Sequence, residues 1–193
     1  MRMLNLRWLL AGGILFLGLA AIGGALMLAT PRSGVAPVIG GPFSLTAQDG
    51  RTVTQASFAG APYLVFFGYT HCPDVCPTTL QDISQMFAKL GKDRRIAAAF
   101  VTVDPERDTP AVMQDFLTSF DPRIVALGGT AEALAPVYKE FRVYLKKIPG
   151  SQGDYTMDHT ALVYLMDKQG NFIASFNTAQ SPEEGAKELA RYF

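Results

Sequence analysis

An α/β sandwich built on a central sheet is the fold class this sequence predicts, and three observations predict it. The run Tyr63–Phe67 is apolar throughout and bounded by Pro62 and Gly68, as a strand buried on both faces requires. Strand-like and helix-like segments then alternate to the C-terminus, in the order βαβ followed by ββα. Ahead of them, Asp49-Gly50 sits between Phe43–Thr46 and Arg51–Thr54, a short-range hairpin signal. This is the order of a thioredoxin-like domain with an N-terminal β-hairpin extension.

The elements follow one by one. After the buried strand comes a helix that runs to about Leu90, beginning either within the cysteine motif or only at Pro77, since a proline is better placed in a first turn than deeper. A strand over Ile96–Val103, a helix over Ala111–Phe120 and a short strand over Ile124–Leu127 come next. A helix over Ala131–Phe141, strands over Ala161–Met166 and Phe172–Ser175, and a final helix complete the domain. Thr109-Pro110 marks one helix start, and Ser181-Pro-Glu-Glu184 marks the last with a capping box. Lys146–Met157, with Pro149, Gly150 and Gly153, reads as a mobile loop.

The N-terminus is of another kind. Trp8 to Ala29 is 22 residues without a charge, roughly 33 Å at helical rise and enough for the hydrocarbon layer of a membrane. A cleaved signal peptide is the rival reading, but its apolar region is shorter and ends in a small-x-small site that Ala25–Ala29 fits poorly. Arg2 and Arg7 before the span outweigh Arg32 after it, which keeps the tail in the cytoplasm. The expected organisation is a cytoplasmic tail over 1–7, a transmembrane anchor over 8–29, a Pro/Gly-rich linker over 30–41 and the thioredoxin-like domain over 42–193. A single-pass protein of the bacterial inner membrane, with its domain in the periplasm, is the expected location; there, thiols oxidise unless protected or used.

Charge excludes one class of function. The formal net charge is zero, and removing Arg2 and Arg7 leaves the remainder near −2. No basic surface for phosphate neutralisation results, so nucleic acid is not an expected partner.

The chemistry concentrates at the junction of the buried strand and the first helix, in Gly68-Tyr-Thr-His-Cys-Pro-Asp-Val-Cys-Pro77. In open α/β sheets ligands bind beyond the carboxyl ends of strands, where a helix N-terminus adds positive potential. Cys72 and Cys76, four apart, can clamp one metal ion or close a disulfide. A purely structural disulfide is a poor reason for the pair, since closing so short a ring removes little denatured-state entropy.

A second constellation, Asp154-Tyr-Thr-Met-Asp-His159, precedes the strand over Ala161–Met166. In a thioredoxin-like domain that position faces the start of the first helix, so His159 is expected to meet Cys72 and Cys76. His71 is expected to be exposed or supporting, and Asp158 is a candidate acceptor for the second nitrogen of His159. Two thiolates and one imidazole suit copper, Cu(I) at three-coordination or Cu(II) with a fourth ligand. Zinc is the alternative, though its closed structural sites ordinarily take four protein ligands.

Phe67–Pro77, Val103-Asp-Pro-Glu-Arg-Asp-Thr109 and Asp154–Thr160 together resemble the Sco/SenC family of copper chaperones, in a match running from about Gly41 to the C-terminus. The resemblance implies copper held by Cys72, Cys76 and His159. It also implies a role in maturing the copper-A centre in subunit II of cytochrome c oxidase, and a membrane anchor. A second implied function is a thiol–disulfide oxidoreductase that keeps the acceptor cysteines reduced, cycling Cys72 and Cys76 and drawing on a thiol reductant protein. A peroxidase is disfavoured because Thr70 stands two positions before Cys72 rather than three; a copper or redox sensor would keep the same ligands. The Asp104–Asp108 stretch reads as a strand end and turn, with Arg107 as a possible partner contact.

Overall fold

The computed structural model describes residues 39–151 and 153–193, so the expected tail, anchor and most of the linker lie outside the described residues. Among the described residues, no helix is long and apolar enough to cross a membrane.

The chain opens with β1 (Ser44–Ala47) and β2 (Thr52–Thr54), paired antiparallel with Leu45 opposite Val53. Gly50 adopts φ +82° at the turn, the left-handed region that glycine enters without steric cost. There follow β3 (Tyr63–Gly68), α1 (Val75–Leu90), β4 (Ala97–Thr102), α2 (Pro110–Leu117), β5 (Ile124–Gly128) and α3 (Ala131–Glu140). The last elements are β6 (Leu145–Pro149), β7 (Tyr155–His159), β8 (Val163–Met166), β9 (Phe172–Phe176) and α4 (Pro182–Leu189).

Seven strands form one sheet in the order β2-β1-β5-β4-β3-β8-β9. β3, β4 and β5 run parallel, with Phe66 opposite Phe100 and Phe100 opposite Ala126. β8 and β9 continue the sheet antiparallel, and the β1–β2 hairpin extends it beyond β5. β3 sits centrally and all six of its residues are buried, which is why it reads as an unbroken apolar run. This is the thioredoxin-like architecture with an N-terminal hairpin that the sequence order predicts.

Alternation along β3 supplies both faces. Phe66 meets Phe100 at 6.0 Å between ring centroids, and Phe100 meets Phe116 of α2 at 5.8 Å. Phe67 points to the opposite face and packs on Phe141 at 5.3 Å and on Tyr138 of α3 at 6.2 Å. The helix caps form as their residues dictate: Thr109 Oγ1 accepts from Val112 N, and Ser181 with Glu184 completes a capping box.

α1 begins at Val75, the earlier of the two starts the sequence allows, which places Pro77 at its third position, still within the first turn where a missing N–H costs nothing. Two expectations are corrected. α2 ends at Leu117, before Phe120, because the chain tightens as Thr118 N and Oγ1 both donate to the Asp115 carbonyl. The segment Lys146–Met157 is no loop: β6 and β7 pair antiparallel as a separate two-stranded sheet, with Leu145 opposite His159 and Pro149 opposite Tyr155. Its period-2 pattern explains this, since Tyr155, Met157 and His159 are half-buried and Thr156 and Asp158 exposed. The Pro and Gly residues mark only the tip.

Candidate metal centre

β3 delivers the chain to the carboxyl edge of the sheet at Gly68, and Tyr69 to Asp74 form the turn into α1. Gly68 is required by space. A Cβ there would lie 2.7 Å from Cys76 Sγ and 2.7 Å from the Phe100 ring, closer than real side chains approach. The missing side chain is the room that the second sulfur occupies.

Cys72 lies in the turn, outside the helix, and Cys76 is the second residue of α1. No side chain of Asp74 caps the helix; instead Cys72 Sγ accepts from Cys76 N at 3.4 Å. The first sulfur thereby takes a helix-capping role at the positive end of the backbone dipole. Both cysteines are free thiols, and Cys76 is fully buried. Burial pushes the Cys76 thiol well up from its ordinary range, with the neighbouring Cys72 sulfur adding to the effect. A buried sulfur of this kind holds its proton until a cation replaces it.

β7 brings His159 to the same place. Its Nε2 lies 3.8 Å from Cys76 Sγ, and its Nδ1 lies 3.1 Å from the carbonyl of Thr160. A carbonyl only accepts, so Nδ1 carries a proton there and Nε2 is the nitrogen that faces the sulfur. This corrects the expectation for Asp158, which is exposed on the far side of β7 and leaves the second nitrogen to the backbone. Tyr69 fixes the ring, lying edge-on to it at 5.8 Å and 87°. His71 is exposed, as expected, and its Nδ1 pairs with Thr70 Oγ1 at 3.0 Å.

The arrangement fits one soft ion shared between a sulfur and an imidazole. Bonds of about 2.3 Å to sulfur and about 2.0 Å to nitrogen span 3.8 Å at an angle near 120°, a trigonal value. Among the described residues, no three His, Cys, Asp or Glu side chains already stand as a complete metal cluster. Cys76 Sγ and His159 Nε2 already face each other, and Cys72 Sγ, 3.4 Å from the Cys76 amide that donates to it, keeps lone pairs that this bond does not use.

The turn from β4 to α2 surrounds these ligands. Asp104 and Asp108 are both buried, Asp108 beneath Thr70 and Asp104 beneath Tyr155. Burial pushes the Asp108 carboxyl up, opposed by the hydrogen bonds from Thr102 and Thr70. Desolvation, with the Asp104 carboxylate it donates to, pushes the Tyr155 phenol up to about 12, so it stays a donor. Arg107 lies inside this turn against Tyr155 instead of projecting toward a partner. In the sequence, Asp104–Asp108 reads only as a strand end and a turn approaching Thr109, with no link to the cysteines or His159.

Fold and site together define a thioredoxin-like protein with a cysteine pair at the carboxyl edge of its sheet and a histidine delivered to it by a hairpin. The SCO1/SenC family profile matches residues 32–193, and the chain belongs to that family. It is 38% identical over 157 residues to a protein named SCO1 homolog 2, mitochondrial, of Arabidopsis thaliana, covering 80% of this chain and 57% of that one. The chain spans about half to three fifths of the length of such curated relatives. Among solved structures, Bradyrhizobium japonicum ScoI with copper bound is 55% identical, with a TM-score of 0.78 over 80% of this chain and 99% of that one. Yeast Sco1 with copper bound is 31% identical, with a TM-score of 0.74 over 81% and 88%.

Proposed function

We propose that this chain is a copper metallochaperone that carries one copper ion on Cys72, Cys76 and His159 and passes it into cytochrome c oxidase assembly. The observation that carries this reading is the approach of His159 Nε2 to Cys76 Sγ at 3.8 Å, across 83 residues of sequence. Membership of the SCO1/SenC family and the copper-bound state of the two similar structures support it. The acceptor is the copper-A centre of oxidase subunit II, and the uncharged run Trp8–Ala29 anchors the domain on the periplasmic side of the bacterial inner membrane.

Copper is cargo, so the site must bind and release it. On loading, Cys76 releases to solvent the proton that burial makes it hold, and Cys72 Sγ, whose remaining lone pairs the Cys76 amide leaves free, joins it on the ion. His159 offers Nε2 to the ion, because Nδ1–H is already committed to the Thr160 carbonyl. Release is a ligand exchange in which acceptor thiolates and imidazoles replace these three groups one at a time, with no change in copper oxidation state. The thiol–disulfide exchange alternative meets an obstacle in burial: Cys72 and Cys76 are each under 10% exposed, and exchange needs an accessible thiolate.

The test is titration of the reduced domain with Cu(I) and Cu(II), for wild type and for Cys72→Ser, Cys76→Ser and His159→Ala. One tightly held copper is expected, weakened by every substitution by more than the roughly 10–100-fold that loss of a merely supporting residue produces. Unchanged affinity and spectrum in His159→Ala would remove the histidine from the ligand set. No specific copper, with rapid turnover of a disulfide substrate, would replace the chaperone with the oxidoreductase.

A further inference from the structure

The turn formed by residues 104–108 plays no part in holding or releasing copper as described above, yet it touches both segments that carry the ligands. On one side, the Asp108 carboxylate accepts from Thr70 N at 3.2 Å and Thr70 Oγ1 at 2.6 Å, and from Thr102 Oγ1 at 2.6 Å. Thr70 stands two residues before Cys72. On the other side, Asp104 accepts from the Tyr155 hydroxyl at 2.7 Å and from Arg107 Nε. Arg107 Nη1 donates to the Tyr155 carbonyl at 3.0 Å, and the guanidinium lies 3.6 Å from the centroid of the Tyr155 ring.

Tyr155 and His159 are four residues apart on β7 and therefore share a face. A grip on Tyr155 sets the position at which the strand delivers the imidazole. Such a grip is needed, because β6 and β7 form a sheet of their own and an isolated two-stranded sheet is marginal in water. Arginine suits the task where lysine does not: one planar fork reaches Asp104 and the Tyr155 carbonyl while stacking on the ring between them.

We propose that Arg107, locked by Asp104, is a positioning residue for His159: it pins β7 through Tyr155 and thereby makes the imidazole a fixed ligand, while Asp108 holds the cysteine turn through Thr70. The proposal rests on the copper reading for its consequence but not for its geometry. The same short turn brackets the two halves of the site, which are far apart in sequence.

The experiment has two readouts on the reduced domain. The first is hydrogen exchange without copper in wild type, Arg107→Leu, Arg107→Lys and Tyr155→Phe. Amides of β6 and β7 are expected to exchange at least about tenfold faster in Arg107→Leu, with α1 and β3 unchanged, and Arg107→Lys is expected to restore little. The second is Cu(I) affinity in a double-mutant cycle with His159→Ala. Arg107→Leu alone is expected to cost about tenfold, and nothing further once His159 is gone. Unchanged protection of β6 and β7, full rescue by lysine, or an affinity loss that adds completely to that of His159→Ala would each overturn the proposal. If wild type takes up no copper, the copper reading falls while the exchange data still decide the pinning. If Arg107→Leu does not fold, Arg107→Lys, which keeps the charge but loses the planar fork to Asp104 and the Tyr155 carbonyl, carries the same exchange comparison.

Discussion

At Gly68 the backbone passes so close to Cys76 Sγ and the Phe100 ring that a single added carbon would overlap both. Gly68→Ala is therefore expected to push α1 outward at its first turn, costing about 1–3 kcal/mol as overpacked cores do, and to weaken copper binding as well. Denaturant unfolding and Cu(I) titration of the same variant check this; wild-type values for both would mean that the helix start yields freely. Cys72, Cys76 and His159 were legible from residue chemistry and from where a thioredoxin-like order puts them. Gly68 was not, since a glycine at the end of an apolar run reads as a strand boundary and its real constraint comes from a sulfur eight residues on. Asp158, by residue chemistry a candidate acceptor for His159, is turned outward by the pleat of β7, and the Thr160 carbonyl takes its place.

Among the elements, α3 and the β6–β7 hairpin show what separates support from function. α3 covers the sheet face opposite Phe66 and buries Leu134 and Val137. Leu134→Ala is expected to destabilise the domain by about 2–5 kcal/mol, as large-to-small changes in cores do, while the folded fraction binds copper as wild type does. Thermal unfolding with and without Cu(I) tests the separation, and a copper affinity that falls in proportion to stability would contradict it. The hairpin was the element least readable in advance. Pro149, Gly150 and Gly153 drew attention to the tip and hid the alternation of Tyr155–His159, because two short strands have little signal until their mutual register is known.

For the whole molecule, one contribution to acid stability comes from an ion pair away from the site. Asp121 and Arg123 form a two-bond ion pair, at 2.8 Å for each contact, just before β5 and so at the edge of the sheet opposite Cys72. The hydrogen bond from Arg123 holds the Asp121 carboxyl below the usual carboxylate range. A lowered folded-state value means that the pair stabilises fully above the unfolded carboxylate range near pH 4 and loses that contribution as pH falls through the folded value. Asp121→Asn is expected to cost about 1 kcal/mol at pH 7, allowing for solvent screening of a partly exposed pair, and the difference from wild type should narrow as pH falls below the unfolded carboxylate range. Stability measured by denaturant from pH 7 to pH 2 in both proteins checks it, and a gap independent of pH would show that the charge is irrelevant. By itself the sequence determined the α/β order, the central strand, the caps and the identity of three candidate ligands, because periodicity and residue chemistry are local properties. Only the tertiary structure decided that Cys72 caps α1 through its sulfur, that Gly68 makes room for Cys76, and that Arg107 reaches Tyr155 across 48 residues of chain. Each of these is a distance between segments remote in sequence, set by how the sheet and the hairpin pack, and no local pattern encodes it.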